Sequence, residues 1–247
     1  MSSVSILAIT NLPEIEPGVD LIPLFEGSEP SLMKGDILVV TQKVISKSEN
    51  RLVCLESVKP GVEAQRLATQ WDKDARLVEL VLGESAELLR QERGVLISRT
   101  HHGFVCANAG IDLSNVDGGS TACLLPLDCD RSARELSRSL SESLGFSLPV
   151  IISDSFGRPW RVGITNVALG SYGLNPLLDH RGAPDVCGLE MKATVIGIAD
   201  TLAASTELVV GKTKGYGASI VRGYNYQHDT NLGVADTIRP TEQCFFL

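Results

Sequence analysis

The sequence has few aromatic residues, no long apolar run and no recognisable targeting segment. Aromatic side chains make up 5% of the 247 residues, so we expect a core built mainly of Leu, Val, Ile and Ala. No stretch of about 18 apolar residues is present, the length that a membrane-spanning helix requires, so no spanning helix is expected. The start, Met1-Ser2-Ser3-Val4, lacks a basic region followed by a long apolar run. We therefore expect no signal peptide and a cytoplasmic protein without a membrane partner.

Cysteine pairs and nucleophile motifs are also missing. The six cysteines are dispersed, with no C-x-x-C pair, which predicts buried, reduced thiols rather than a disulfide or zinc framework. The absence of a Walker A sequence argues against standard P-loop chemistry. The absence of a G-x-S-x-G elbow and of a cysteine nucleophile motif argues against hydrolases. None of the histidines has a partner at metal-ligand spacing, and we interpret all four as structural or surface residues: His101, His102, His180 and His228.

Positive charge is in deficit. The formal net charge is −8 at pH 7, which argues against non-specific binding to nucleic acid or to anionic membranes. An anionic small-molecule substrate is still compatible with this charge, because local lysines and arginines can line a cleft.

What the sequence does contain indicates a globular α+β protein. Hydrophobic residues account for 43% and charged residues for 21% of the chain, and helix and strand signals mix without strict βαβ alternation. We predict one domain over residues 1–247, with two sub-lobes as an alternative organisation, and a fold of mixed sheets with flanking helices. The candidate strands are short and rich in β-branched residues, and several should be buried on both faces: residues 5–9, 36–41, 95–98, 122–125, 150–153, 193–198, 207–210 and 218–221.

The helix signals are clearest after Asp130. Four apolar residues there step by three, four and four positions and so form one stripe: Ala133, Leu136, Leu140 and Leu144. Asp128 or Asp130 is expected to cap the start of this helix, and Gly145 to end it. A second helical region is predicted over residues 62–89, with breaks near 71–74 and at Gly83.

A strand followed by acid, hydroxyl and arginine side chains is the most informative segment. The apolar run 150–152 predicts a buried strand that brings Asp154 and Ser155 to its carboxyl end, with Arg158 and Arg161 following. In sheets flanked by helices, ligands tend to bind at the carboxyl ends of strands. A carboxylate beside a hydroxyl and near arginines suits a hard metal ion that holds a phosphate. The alternative interpretation is an Asp-Ser turn with two surface arginines.

Three further segments carry candidate binding residues, and each has an ordinary structural alternative. Residues 41–47 include Lys43 and Lys47, which can grip a polyphosphate as point charges or belong to a solvated loop or exposed strand. Residues 107–115 place small residues before Asp112, so that the backbone can approach a ligand closely or make ordinary Asx turns. Residues 210–217 interleave glycines with lysines between two predicted strands, as in loops that wrap phosphates with backbone N–H groups or as in a glycine-rich hairpin.

Taken in order, these segments resemble the coenzyme F420-0:L-glutamate ligase (γ-glutamyl ligase) family over almost the whole chain. Each piece is moderately specific, and their shared order and spacing carry the resemblance: residues 12–13, 35–40, 44–47, 108–112, 124–128, 152–158, 188–190 and 221–223. The resemblance implies a GTP-dependent amide ligase that joins L-glutamate to the precursor of the deazaflavin coenzyme F420 and extends the tail through γ-linkages. It also implies a requirement for Mg²⁺ or Mn²⁺, with K⁺ as a further candidate ion, and a homodimer with a fold of its own type.

The resemblance also assigns candidate roles to residues of this chain. Asp112 and Asp154 match the metal carboxylates, and Ser155 stands where a threonine hydroxyl is common. Asp154 and Arg158 are the candidate catalytic residues, the arginine as a clamp for phosphate or carboxylate. The candidate nucleotide-binding residues are Leu12, Pro13, Gln42, Lys43, Lys47, Asn115, Gly211, Lys212, Thr213, Lys214, Gly215 and Gly217.

The segment around Lys212 departs from the family pattern. Some members place an acidic residue there, close to a second metal, and a charged lysine cannot ligate a cation. Two alternatives to the leading hypothesis stay open, and the departure at Lys212 motivates the second of them. One is a ligase of the same chemistry that acts on another carboxylate metabolite, and the other is a non-catalytic dimer that binds nucleotide or deazaflavin.

Overall fold

The computed structural model describes residues 3–113, 119–211 and 214–244, and these form a mixed α/β protein. The described strands are β1 (Ser5–Ile9), β2 (Ile37–Thr41), β3 (Leu52–Cys54), β4 (Ser85–Glu92), β5 (Val95–Thr100), β6 (Val105–Ala107), β7 (Thr121–Cys123), β8 (Val150–Arg158), β9 (Arg161–Tyr172), β10 (Leu177–Asp179), β11 (Val195–Gly197) and β12 (Ala218–Arg222). The described α-helices are α1 (Ile22–Glu26), α2 (Gln42–Ser48), α3 (Val62–Trp71), α4 (Ala75–Gly83), α5 (Cys129–Leu144) and α6 (Ile198–Val210).

A five-stranded sheet with the order β1-β12-β2-β8-β9 forms the centre of the protein. β2 and β8 run parallel, and the other neighbouring strands are antiparallel. Successive side chains of β2 enter two different apolar clusters. Leu38 and Val40 pack in the cluster that includes α5, and Ile37 and Val39 pack in the cluster that includes α6. The predicted burial of strands on both faces is therefore confirmed for β2.

The core is aliphatic, as the composition predicts. Among the described residues, Phe25 is the only aromatic side chain that is completely buried. The six cysteines are free thiols, and three of them are buried: Cys106, Cys123 and Cys129. The prediction of burial is wrong for Cys54 and Cys187, which are exposed, because one ends a short strand and the other lies in the exposed connection between β10 and β11.

Helix α5 begins and ends where its capping residues predict. The Asp128 carboxylate accepts a hydrogen bond from the Arg131 backbone N–H at 2.9 Å, and Gly145 ends the helix with a φ of 74°. Asp130 has a different role from the predicted cap. Its carboxylate accepts backbone N–H groups of Ser171, Val234 and Ala235 at 2.7–2.9 Å, so it ties the start of α5 to β9 and to the C-terminal segment.

The predicted strands at 193–198 and 207–210 are largely wrong. Only Val195–Gly197 is a strand, and residues 198–210 form the helix α6. The β-branched and apolar residues of 207–210 suggest a strand locally, but the buried positions recur every three or four residues along 198–210 and form one helical face. That face contains Ile198, Ala199, Leu202, Ala203, Thr206 and Val210.

A smaller group of elements surrounds a third apolar cluster. Helices α3 and α4 pack with the three-stranded sheet β4-β5-β6 around side chains that include Leu67, Val78 and Leu96. The predicted break is confirmed, because Asp72 has a left-handed φ of 50° and Asp74 caps α4. The prediction of helix beyond Gly83 is wrong, since Ser85–Glu92 pairs with β5 as a strand. The described residues contain no helix that is both long and apolar enough to cross a membrane.

Strand β8 is longer than predicted. It continues through Ser153–Ser155 to Arg158 and pairs with the twelve-residue strand β9, which the sequence reading missed. The Asp-Ser turn considered as an alternative is therefore excluded. The chain instead turns at Pro159-Trp160, where Trp160 has a φ of 59°.

Candidate active site

Four chain segments meet at one end of the central sheet, at the edge where β2 ends and β12 begins. The parallel pairing of β2 with β8 places Thr41 beside Ser153. The antiparallel strand β12 starts at the same edge, with Ala218 opposite both Val40 and Ile9. The Thr41 backbone N–H donates to the carbonyl oxygen of Gly217 at 2.9 Å. This arrangement brings four segments together: the residues after β1, the residues after β2, the middle of β8 and the glycine-rich segment before β12.

A cavity of about 840 Å³ opens at this edge, a size that accommodates a nucleotide-sized ligand. Most of the predicted binding and metal residues line it: Leu12, Pro13, Gln42, Lys43, Lys47, Asp112, Asp154, Ser155, Gly211, Gly215 and Gly217. They come from positions spread over more than 200 residues of sequence, and the strand order just described brings together all of them except Asp112, which lies outside the central sheet and is bridged to Cys123.

The remaining predicted residues are placed differently. Lys214 is described but does not line the cavity. The Arg158 guanidinium donates to the Val162 carbonyl oxygen at 2.8 Å, within the β8–β9 turn. Because β8 continues for four residues past Asp154, it carries Arg158 roughly 13 Å further along the strand. Asn115, Lys212 and Thr213 lie outside the described residues.

Asp112 is held at the cavity by its own backbone. Its N–H donates to the Cys123 carbonyl oxygen at 3.0 Å, and its carbonyl oxygen accepts the Cys123 N–H at 2.8 Å. The preceding turn contains three consecutive residues with positive φ: Asn108, Ala109 and Gly110. A positive φ at an alanine is unfavourable by about 1 kcal/mol, so this tight turn is held by its surroundings, and Ala109 is buried.

Residues 42–47 belong to the short helix α2, which follows directly after Thr41 at the end of β2, so the loop or exposed strand considered as an alternative is excluded. Lys43 projects from its first turn, with Nζ 2.8 Å from Oδ2 of Asp112. One turn later, Lys47 forms an ion pair with Glu14, a cavity residue contributed by the loop after β1. The Gln42 side chain is buried, and its amide donates to the Leu124 carbonyl oxygen at 3.0 Å, so it anchors α2 as well as lining the cavity.

Strands β8 and β9 supply the opposite wall. Asp154 lies in β8 directly across from Val167 of β9. The neighbouring Ser155 hydroxyl donates to Oδ1 of Asn166 at 2.6 Å, and Asn166 also lines the cavity. The carboxylate, the hydroxyl and the amide therefore lie on adjacent, rigidly paired strands, which favours a defined geometry.

The cavity contains more carboxylates than lysines. Its described lining includes two lysines, Lys43 and Lys47, and four carboxylates: Glu14, Asp112, Asp154 and Glu207. Asp112 and Asp154 offer oxygen ligands of the kind that Mg²⁺ and Mn²⁺ prefer. No group of three or more acidic, histidine or cysteine side chains among the described residues is arranged to hold a metal ion. The residues thus fit an ion such as Mg²⁺, which is commonly held by one or two carboxylates and completes its shell with phosphate oxygens and water.

Neither of the two buried thiols near the cavity is suited to act as a nucleophile. Burial raises the pKa of the Cys106 thiol to about 12, and the negative charge of Asp154 acts in the same direction. Burial also raises the pKa of Cys123, although Gln42 and Lys43 oppose the shift. Both groups stay protonated near neutral pH and are poor nucleophiles.

Sequence reasoning missed several cavity residues, which include Glu14, Asn166, Glu207 and Tyr216. Glu14 follows the Leu12-Pro13 motif directly, so its position was available from the sequence. Asn166 depends on the β8–β9 pairing, and Glu207 was assigned to a strand that is in fact the end of α6. These two residues required the three-dimensional pairing to be known.

Comparisons of the sequence with known proteins show the family. The sequence model of the F420-0:Gamma-glutamyl ligase family matches residues 10–223. The coenzyme F420:L-glutamate ligase of Methanothermobacter thermautotrophicus is 43% identical over 246 residues, which cover 97% of each chain. The protein of the same name from Methanopyrus kandleri is 42% identical over 85% of this chain and 83% of its own. That of Methanocaldococcus jannaschii is 36% identical over 91% and 94%. The chain therefore belongs to the F420-0:gamma-glutamyl ligase family.

Proposed function

We propose that this protein is a GTP-dependent, divalent-metal-dependent ligase that adds L-glutamate to the precursor of coenzyme F420, with γ-linked extension. The observation that carries the proposal is the meeting of Asp112, Asp154, Lys43 and Lys47 with a glycine-rich segment around one cavity. Family membership and the names of the relatives support the glutamate-ligating activity. The arrangement of acids, lysines and glycines supports the use of a nucleotide and a metal.

The proposed chemistry needs no protein nucleophile. A carboxylate is a poor electrophile, so the acceptor carboxylate first takes the γ-phosphoryl group of GTP and becomes an acyl phosphate, with release of GDP. The amine of L-glutamate then attacks the acyl carbon, the amide forms and inorganic phosphate leaves. Phosphoryl transfer depends on positioning and on neutralising charge.

Within this scheme, each group has a role that matches its chemistry. Lys43 and Lys47 contribute positive charge to the phosphates, and Asp112, Asp154 and the Ser155 hydroxyl would hold the divalent ion. When bound, that ion supplies neutralisation of the phosphate oxygens. Gly211 and Gly215 have positive φ values of 60° and 71°, so the backbone can curve around a phosphate at positions that side chains rarely tolerate.

We also propose that the active form is a homodimer. The β8–β9 hairpin carries three strongly exposed apolar side chains, Trp160, Val162 and Ile164, of which Val162 is 98% exposed. Exposed apolar clusters of this kind are typical of protein–protein contacts. Sedimentation equilibrium on the wild type and on Val162→Asp tests this, and a wild-type monomer at micromolar concentration would contradict it.

The catalytic proposal is tested with purified protein, GTP, Mg²⁺ or Mn²⁺, L-glutamate and the coenzyme precursor. We expect release of GDP and phosphate together with a product heavier by one glutamyl unit, detected by mass spectrometry. Omission of the precursor is the control for uncoupled hydrolysis. If GDP appears only with another carboxylate acceptor, the second ligase interpretation replaces this one. Binding of nucleotide without turnover on any acceptor would favour the non-catalytic interpretation.

A further inference from the structure

Both lysines of the cavity form ion pairs with carboxylates of the same cavity. Lys47 pairs with Glu14, and Nζ of Lys43 lies 2.8 Å from Oδ2 of Asp112. The second pair is unusual because the two residues have different proposed partners, the nucleotide phosphates for the lysine and the divalent ion for the aspartate. Within this pair, the lysine holds the carboxylate that would bind the ion, and the aspartate holds the ammonium group that would bind the phosphates.

The Lys43–Asp112 pair conflicts with occupation of the same oxygen by a divalent ion. A metal–oxygen bond of about 2.1 Å, added to the 2.8 Å separation of Nζ and Oδ2, places the two cations within about 5 Å of each other. They would repel at that distance, in a cavity where both side chains are partly shielded, with exposed fractions of 24% and 37%. The Asp112 backbone is held by its bonds to Cys123 and its side chain is short, so the longer and more flexible Lys43 side chain is the partner that moves furthest.

We propose that Lys43 is a positioning residue that couples divalent-ion binding to nucleotide binding. Asp112 exchanges Lys43 for the ion, and the released ammonium group turns on its flexible four-carbon stem to the phosphates. Because coupling is reciprocal, nucleotide that engages Lys43 also frees Asp112 for the ion. This inference rests on the proposed function, since it assumes that Asp112 takes the ion and Lys43 the phosphate.

Lys47 provides a matched comparison within the same helix. Its side chain is only 9% exposed, and its partner Glu14 is 77% exposed and is not a proposed metal ligand. Removal of Lys47 should therefore weaken nucleotide binding without releasing a metal carboxylate.

The first test measures Mn²⁺ binding to the nucleotide-free protein by titration calorimetry and by electron paramagnetic resonance of free Mn²⁺. Lys43→Met should bind Mn²⁺ roughly three- to tenfold more tightly than wild type, because a competing cation has been removed from Asp112. Lys43→Arg keeps the charge and should stay close to wild type, and Lys47→Met should change Mn²⁺ affinity by less than about twofold. Circular dichroism spectra that match the wild type show that the variants are folded.

The second test measures the reciprocal effect. With chelator present, Asp112→Asn should bind a non-hydrolysable GTP analogue more tightly than wild type, since Lys43 then no longer pairs with a carboxylate at position 112. The factor by which the analogue improves Mn²⁺ affinity should be several-fold smaller in Lys43→Met than in wild type.

The outcomes separate this inference from the function on which it rests. If Lys43→Met binds Mn²⁺ no more tightly than wild type, or keeps the full coupling factor, Lys43 is not the coupling residue, although the ligase proposal stands. If the wild type binds neither Mn²⁺ nor the GTP analogue, the proposed function fails and this inference fails with it.

Discussion

Each end of the central sheet has an ion pair between an aspartate and a basic side chain, and the two pairs differ in burial and in geometry. At the end away from the cavity, the side chain of Asp36 is only 1% exposed. Its carboxylate accepts hydrogen bonds from Nε and Nη2 of Arg222, both at 2.8 Å, and a third from the Met33 backbone N–H. The bond to Asp36 raises the pKa of Arg222. At the cavity end, Nζ of Lys43 lies 2.8 Å from Oδ2 of Asp112, and both side chains are partly exposed.

Burial and geometry separate the structural pair from the binding pair. The buried Asp36 carboxylate accepts two hydrogen bonds from one arginine and one from a backbone N–H, which hold it in a defined orientation and fix the strands that carry the pair. A partly exposed lysine on a flexible stem can exchange its carboxylate for another anion. Segments 35–40 and 221–223 both contribute to the family resemblance, yet Asp36 and Arg222 lie at the end of the sheet opposite the cavity. Shared motifs therefore mark the fold as well as the site.

The sharpest way to test the cavity end is Asp154→Asn. Asparagine keeps the size but removes the charge that would hold the divalent ion, so we expect kcat to fall about 10²- to 10³-fold, a magnitude typical of losing one electrostatic stabiliser. The free energy of unfolding should change by less than about 1 kcal/mol. Steady-state kinetics and urea unfolding measure the two quantities. Activity equal to wild type would remove Asp154 from the site.

The matching change at the other end is Asp36→Ala. It removes the carboxylate partner of Arg222, which keeps its hydrogen bond to the Ser31 carbonyl oxygen. We expect the free energy of unfolding to fall by about 3 kcal/mol, the lower end for breaking a buried pair, because the Arg222 side chain is 31% exposed. Urea unfolding and thermal melting measure the loss. Below the melting temperature, the affinity for a GTP analogue should equal that of wild type. A loss of nucleotide affinity in the folded variant would contradict the division between the two ends.

Two glycines sharpen the comparison with a smaller change. At Gly223, which has a φ of 87°, an added Cβ would lie 2.5 Å from the Ser3 backbone oxygen, so Gly223→Ala should lower the unfolding free energy by about 2 kcal/mol. At Gly217 the added Cβ would meet a Val44 methyl group at 2.5 Å. Val44 is buried and β-branched and cannot easily move aside, so Gly217→Ala should also cost about 2 kcal/mol and, unlike Gly223→Ala, weaken nucleotide binding.

Parallel unfolding and GTP-analogue titrations on these two variants check the contrast. If both variants lost the same stability and the same nucleotide affinity, the division into a structural end and a binding end of the sheet would be contradicted.

The elements that were predicted correctly carry local signals that are independent of their partners. Helix α5 has an apolar stripe, an Asp128 cap and a terminal Gly145, and all three act within the helix. The apolar strands β2 and β12 contain continuous buried runs. The strand prediction for residues 207–210 was wrong because their composition suits a strand. Only the spacing of the buried positions over the whole of 198–210 identifies the helix.

The candidate site follows the same division. The grouping of Asp112, Asp154 and the lysines rested on the resemblance, and the fold brings these residues to one cavity. The partners of those residues were not accessible from the sequence, because the Lys43–Asp112 and Lys47–Glu14 pairs join segments that are 69 and 33 residues apart. Pairing across such distances depends on the whole sheet, which no local pattern encodes.

Substitution of Arg158 should have the smallest effect on activity, because this residue lies outside the cavity lining. The sequence predicts a clamp for phosphate or carboxylate. In the structure the Arg158 guanidinium instead donates hydrogen bonds to the carbonyl oxygens of Val162 and Gly163 in the hairpin turn. Arg158→Ala should therefore change kcat/KM by less than about threefold and the unfolding free energy by about 0.5 kcal/mol, as for an exposed residue away from a site. The same kinetic and unfolding measurements apply, with Asp154→Asn as the contrast from the same strand. A loss of kcat/KM near that of Asp154→Asn, at unchanged stability, would place Arg158 in the active site of the assembled protein, where the exposed hairpin of one protomer then reaches the cavity of its partner.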